Sequence, residues 1–356
     1  MSMRSLLVVF LVQIVILSSC TSESGEIAFN PTPYDLKIPR GLPPAIIPID
    51  NPTTQEGVHL GRKLFHDPLL SGDGTQSCSS CHAQANAFTD TRRFSRGIDG
   101  KPGNRNAMVL FNSIWSPSLF WDGRALNLEE QAFDPIVDEL EMHDTWSNVA
   151  AKLNAHSEYP DLFKEAFNVD EIDSTHVVKA IAQFERTLIS GNSKWDKWRR
   201  GEVIFTDEEL RGWDLFNKDR TDLSVGADCF HCHSAPLFTD YIFHNNGLDP
   251  DESFSDLGLY LVTGSELDKA KFKTPTLRNI ELTAPYMHDG RFATLEEVIE
   301  HYNFGGHHSS TLDPLMKNAG EGLTLTEEDK KALLAFLRTL TDYGFISNSE
   351  FSNPFQ

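Results

Sequence analysis

Two short stretches hold the residues best suited to chemistry: Cys78-Ser79-Ser80-Cys81-His82 and Cys229-Phe230-His231-Cys232-His233. Each sets a pair of thiols in a Cys-x-x-Cys spacing, with an imidazole immediately after. That spacing presents both sulfurs to the two vinyl groups of one porphyrin as thioethers and brings the histidine to the iron from the proximal side. Zinc is the competing chemistry, but neither motif has a second Cys-x-x-Cys nearby to complete a tetrahedral set. Two motifs therefore imply two covalently bound haem c groups, with His82 and His233 as proximal ligands.

The fifth and last cysteine, Cys20, closes the stretch Leu17-Ser18-Ser19-Cys20, which resembles the lipobox of bacterial lipoproteins. Ahead of it, Arg4 gives a positive start and Leu6 to Leu17 an apolar run too short to span a membrane comfortably, so residues 1–20 read as an export signal. Cys20 would then carry lipid, and residues 21–45, rich in Ser and Pro, would form a tether. This places the protein in the bacterial periplasm or cell envelope, touching a membrane only through its anchor. No cysteine is left for a disulfide. The formal charge of -21 leaves no basic stripe for phosphates and excludes nucleic acid as a partner.

The elements that position the two motifs repeat along the chain. Gly61-Arg62-Lys63-Leu64-Phe65 precedes the first motif at the distance at which Gly212-Trp213-Asp214-Leu215-Phe216 precedes the second. Phe88-Thr89-Asp90 pairs with Phe238-Thr239-Asp240, Arg105-Asn106 with Arg278-Asn279, Asp122-Gly123-Arg124 with Asp289-Gly290-Arg291, and Leu128-Glu129-Glu130 with Leu295-Glu296-Glu297. The chain thus reads as two cytochrome c-like haem domains related by internal duplication, residues 46–195 and 196–345, with a tail at 346–356.

Local signals are helical, and the expected fold class is mainly α. Thr206 opens a capping box for a helix with Leu210, Trp213 and Phe216 on one face. Thr326 caps a last helix whose apolar face is Leu333, Leu334, Leu337 and Leu340, with Glu327, Glu328 and Asp329 complementing its dipole. His176 to Leu188 is a further helix.

The repeat also exposes a difference between the two haems. Twelve residues beyond Gly290 stands Tyr302, whereas twelve beyond Gly123 stands Pro135, which cannot ligate iron. The sequence resembles the bacterial dihaem cytochrome c peroxidase family, including its MauG-type (methylamine-utilisation) branch, over residues about 55 to 342. The stretches that carry this are Leu64-Phe65, both haem motifs, Phe120-Trp121-Asp122-Gly123-Arg124, Leu128-Glu129-Glu130-Gln131-Ala132, Glu141-Met142, Phe272-Lys273-Thr274-Pro275, Leu277-Arg278-Asn279 and Ala284-Pro285-Tyr286-Met287-His288-Asp289-Gly290.

The resemblance implies that peroxide reacts at the first haem, that the second stores and relays an electron, and that Trp121 couples the two. It implies that Glu141 is the distal acid-base group of O–O cleavage, with Gln131 a polar neighbour, and that a calcium ion binds between the domains through Asn106, Thr283 and Pro285. The chain departs from classical members at two places. Ile98 stands where many have a second histidine on the peroxidatic haem, so the first haem is expected to be open. Tyr302 stands where the relay haem has Met, as in the MauG-type branch. His301, Met287, His307 and His308 are rival ligands. A phenolate would lower the potential of that haem.

The leading reading is a peroxidase that reduces H2O2 to water with electrons from a small periplasmic cytochrome c or cupredoxin; a homodimer is compatible with it. The alternative is a MauG-type enzyme that stores two oxidising equivalents and oxidises a partner protein. A non-catalytic dihaem electron carrier is the third, disfavoured by Glu141 and by the Pro135 gap, since a carrier gains nothing from an open iron.

Overall fold

The structure, a computed structural model, describes residues 29–221 and 224–356. Cys20, the expected signal segment and residues 21–28 of the expected tether lie outside the described residues. Pro31–Gln356 forms one compact unit. It is built mainly of helices: α1 Gln55–His66, α2 Cys78–Cys81, α3 Leu128–Val137, α4 Trp146–Asn154, α5 Tyr159–Phe167, α6 Ser174–Glu185, α7 Lys194–Arg199, α8 Asp207–Phe216, α9 Tyr260–Thr263, α10 Leu295–Phe304, α11 Glu327–Arg338 and α12 Tyr343–Ile346. Two short antiparallel strands, β1 Phe243–His244 and β2 Phe272–Lys273, pair Phe243 with Lys273 and His244 with Phe272.

Two helix pairs carry the architecture. α1 crosses α6 at Gly61, where a Cβ would lie 1.9 Å from the Ala180 carbonyl oxygen; α8 crosses α11 at Gly212, where a Cβ would lie 1.9 Å from the Ala332 carbonyl oxygen. Only glycine permits backbones that close. The first pair buries Leu60, Leu64, Val177 and Ile181, and the second Leu215, Phe216, Leu333 and Phe336. Each pair holds the segment that enters the adjacent Cys-x-x-Cys-His turn.

The caps behave as the residue types require. Thr206 and Glu209 form a reciprocal capping box on α8, and Thr326 and Asp329 another on α11. The helix expected from His176 begins at Ser174, because the Asp173 carboxylate accepts from the His176 backbone N–H, and it ends before Leu188. Leu210, expected on the apolar face of α8, is exposed; Leu215 takes the buried position.

Contacts also tie the flanking segments and the two halves together. The described part of the tether is not free. The Tyr34 N–H donates to the Thr53 carbonyl at 3.0 Å, the Gln55 N–H to Thr32 at 2.8 Å and the Trp115 indole to Pro43 at 3.1 Å. The prolines of this segment have no N–H to donate, so its contacts rest partly on carbonyls offered to neighbours. The tail is a strap. Phe345 and Phe351 join Phe65, Phe88, Phe111 and Phe184 in a first-half core, while Arg62 donates to Ser349 and Ser352 and Gln84 to Asn348 at 2.7 Å. Polar contacts join the two halves. Arg105 binds Asp122 at 2.5 Å and Asp256 at 2.6 Å, and the Arg93 Nε donates to the Asp289 carbonyl at 2.7 Å.

Candidate haem sites and the bridge between them

The first motif is the short helix α2, fixed at its start by the Ser77 N–H donating to Ser80 Oγ at 3.0 Å. The His82 N–H closes the turn on the Cys78 carbonyl at 2.9 Å, and the His233 N–H does the same on Cys229 at 2.9 Å. In both sites the proximal imidazole is oriented identically. His82 Nδ1–H donates to the Phe88 carbonyl at 3.1 Å and His233 Nδ1–H to Phe238 at 3.2 Å, which leaves each Nε2 lone pair free for a metal. Phe88 and Phe238 both sit in the left-handed region, at φ 58° and 54°. That conformation is unfavourable for a bulky side chain, and here it aims the carbonyl at the ring.

Burial depresses the pKa of both histidines, to about 4 for His233, so both are neutral at pH 7, as ligation requires. Cys78, Cys81, Cys229 and Cys232 form no disulfide. Sulfurs, lone pairs and apolar walls together fit two haem c groups.

The second site opens on a cavity of about 220 Å³ lined by Cys229, Cys232, His233, Phe216, Tyr302 and Trp121, among others. The Tyr302 hydroxyl accepts from Asn246 Nδ2 at 3.1 Å. Burial pushes its pKa up to about 12, with Asn246 opposing the shift; a cation opposite would favour the phenolate. Of the rivals, His307 and His308 are exposed, and His301 turns Nε2 to the Asn246 carbonyl at 3.0 Å. Met287 does reach the cavity, its sulfur 3.7 Å from Asn246 Nδ2. The structure therefore brings Tyr302 and Met287 together there and directs the three histidines elsewhere.

On the first side, Pro135 and Tyr302 occupy the same place in matching helices, each seven residues after the helix's first residue, Leu128 or Leu295. Pro135 breaks the bond that its N–H would give the Gln131 carbonyl. Gln131 is half-buried on α3, its amide making no hydrogen bond among the described residues. Glu141 follows in the turn beyond α3. Its backbone carbonyl accepts from the Ile98 N–H at 2.9 Å, and Gly97 has no room for a Cβ, which would lie 2.6 Å from that oxygen. Burial first, and then Asp138, push the Glu141 carboxyl up to about 7, within electrostatic reach of Cys78 and Cys81. No hydrogen bond joins Gln131 and Glu141.

Trp121 lines the cavity of the second site. Its indole N–H donates to the Asn106 carbonyl at 2.9 Å, its own carbonyl accepts from the Lys273 N–H at 2.9 Å, and its ring meets His288 edge-on at 6.5 Å. It also lines a second cavity of about 80 Å³, together with Asn106, Thr283 and Pro285, so the three residues named for calcium share one space. Their neutral oxygen donors suit a hard cation that keeps water.

Sequence reasoning missed several participants. His244 is clamped by Asp240 at 2.9 Å and Asp313 at 2.6 Å beside Cys232, and Asn246 holds Tyr302. Lys273 is buried, its ammonium donating to the Ser118 carbonyl at 2.6 Å, and burial lowers its pKa to about 8. Glu185 is buried with an unpartnered oxygen, and burial raises it to about 8. Only tertiary contacts distinguish these residues from ordinary polar ones.

A family profile described as di-haem cytochrome c peroxidase matches residues 55–203. Over 82% of the chain, the sequence is 36% identical to the cytochrome c551 peroxidase of Nitrosomonas europaea, covering 81% of that protein. It is 37% identical to the methylamine utilization protein MauG of Methylorubrum extorquens, covering 82% of this chain and 80% of that one. The chain belongs to the di-haem cytochrome c peroxidase family. A solved MauG-like protein associated with microbial copper homeostasis superposes with a TM-score of 0.84 at 37% identity, covering 91% of this chain and all of that one. The dihaem peroxidase of Burkholderia thailandensis shares the fold, with a TM-score of 0.71 at 24% identity over 83% of this chain and 88% of that one. Membership in a di-haem c family of oxidoreductases accounts for both motifs.

Proposed function

We propose that this di-haem family member reduces hydrogen peroxide to water, taking electrons from a small redox protein at the second haem and passing them through Trp121 to the first. The observation that carries this is the distal asymmetry. The second cavity is lined by Tyr302, whereas the matching position on the first side is Pro135, with the raised carboxyl of Glu141 nearby. When bound, the haems supply electron storage and the reduction of the O–O bond.

The chain's residues manage the protons and the positioning. Near neutral pH part of the Glu141 population is ionised, and it takes the proton from one peroxide oxygen and returns it to the departing one. Two electrons and two protons per peroxide leave two waters. Ile98 cannot ligate, so peroxide meets no displaceable histidine. The hydrogen bonds that hold Trp121 to Asn106 and Lys273 support its role as the coupling residue, since they fix the orientation of its ring.

Stopped-flow mixing of the oxidised protein with H2O2, followed by turnover with reduced cytochrome c, tests this reading: steady cytochrome oxidation supports it, and an absence of any peroxide reaction leaves only an electron carrier. Tyr302 favours a second reading, oxidation of a partner protein, which a long-lived two-electron-oxidised state with poor cytochrome turnover would support.

Several companion proposals have their own support. The matched turns at His82 and His233, and the matched crossings at Gly61 and Gly212, support descent from one duplicated unit. The shared cavity of Asn106, Thr283 and Pro285 supports a calcium ion. The apolar start of the chain and its lipobox-like end support export and a lipid anchor at Cys20.

A further inference from the structure

A line of aromatic rings runs from the second cavity towards solvent. Phe216 lines the cavity. Trp213 stacks parallel to it, centroids 6.3 Å apart at 11°, and Trp198 meets Trp213 edge-on at 5.9 Å. Trp198 is partly exposed and stacks on Phe205 at 4.5 Å. Trp195 branches from Trp213 at 6.0 Å, but it is buried, its indole N–H has no acceptor, and the guanidinium groups of Arg278 and Arg199 lie 5.7 and 5.9 Å from its ring. Arg199 lies 6.0 Å from the Trp198 ring as well, so what separates the two rings is burial: Trp195 has no water to stabilise a positive charge. The easier route for a hole is Trp213 to Trp198, where water stabilises it.

The surface at Trp198 also has a sign. The segment 194–200 carries Lys194, Lys197, Arg199 and Arg200, and its one acid, Asp196, is buried against Arg278 at 2.9 Å. Lys194 is paired with Glu209 and Arg200 with Glu202, while Lys197 and Arg199 make no ion pair among the described residues. On a chain of net charge -21, the unpaired charges of this segment, Lys197 and Arg199, are positive.

We propose that Trp213 and Trp198 form a second electron route, ending in a docking surface for a one-electron donor protein with an acidic contact face. This rests on the reading that the haem pair becomes oxidised. Trp213 gives one electron towards the second haem, Trp198 gives one electron to Trp213, and the docked donor gives one to Trp198. Each indole keeps its N–H, so no proton moves, and the donor leaves oxidised by one electron.

The test injects a hole from outside, without peroxide. In the holoprotein, Glu202→Cys carries a ruthenium polypyridyl photo-oxidant, and the second haem is reduced beforehand. After a flash, the reduced-haem absorbance of the second site should disappear quickly. The decay should be slower by about an order of magnitude or more in Trp213→Phe and in Trp198→Phe, and unchanged in Trp195→Phe. Equal rates in the parent and in Trp213→Phe would overturn the relay, and intact haem spectra in both variants establish that the fold survives.

With both haems oxidised beforehand, the flash-generated Trp198 radical is refilled by added ferrocyanide. Lys197→Glu with Arg199→Glu should slow refilling several-fold and reverse its salt dependence; an unchanged rate would overturn the acidic-donor assignment. A protein that passes the flash test yet ignores peroxide would sink the peroxidase reading alone.

Discussion

Glu141 is the acid-base residue of the proposed peroxide reaction, and its environment makes a pH prediction. Its carboxyl is raised to about 7 chiefly by burial, so the ionised form that can accept a peroxide proton accumulates as pH rises through that value. The second-order rate of the peroxide reaction should climb between about pH 6 and 8, and Glu141→Gln should lower it by roughly 10²- to 10⁴-fold and flatten the profile. Stopped-flow rates across pH check both.

Tyr302 gives a spectroscopic prediction at the same scale. Tyr302→Met should replace the second haem's low-potential signature with a His/Met one and raise its potential in redox titration, while the first haem's spectrum stays put. An unchanged spectrum would hand the ligand position to Met287. The Cys-x-x-Cys-His motifs were legible because covalent chemistry ties residue type to spacing. Asn246 and His244 were not, because a polar side chain acquires a role only when a distant segment is folded against it.

Among the elements, the matched crossings set the tightest constraint. Gly212→Ala would push a Cβ to 1.9 Å from the Ala332 carbonyl, and Gly61→Ala to the same distance from Ala180. Each should cost about 1–3 kcal/mol or more in overpacking, seen as a lower unfolding midpoint in denaturant. The expected losses are local: Gly212→Ala should loosen the second haem site, and Gly61→Ala the first.

Helix caps and amphipathic faces made α8, α11 and much of α6 readable. The failure at Leu210 is instructive, since period alone placed Leu210 and Phe216 on one face while the crossing at Gly212 rotates α8 so that Leu215 is buried instead. Close approach at a glycine fixes the rotation of a helix, and no hydrophobic pattern encodes it.

At the scale of the molecule, Glu185 links stability to pH. Its folded pKa is raised from 4.5 to about 8 by burial, so the folded chain holds a proton that the unfolded chain has released over that interval. Stability therefore falls as pH rises from about 4.5 to 8, and Glu185→Gln should remove that slope from thermal-midpoint measurements. Deleting residues 343–356 should destabilise the first half selectively, because Phe345 and Phe351 complete its aromatic core; haem spectra recorded during thermal unfolding would show the first site lost before the second. The matched sequence blocks suggested two halves, but the contacts of Arg105 and this strap were not legible, because matched blocks do not say how segments far apart in the chain pack.

The strap also sets an order of assembly. The first haem motif emerges early in the chain, at Cys78, but the core around it is completed only by Phe351, near the end. Until Phe351 docks, the aromatic core of that half stays incomplete, so folding around Cys78 waits on a segment far along the sequence.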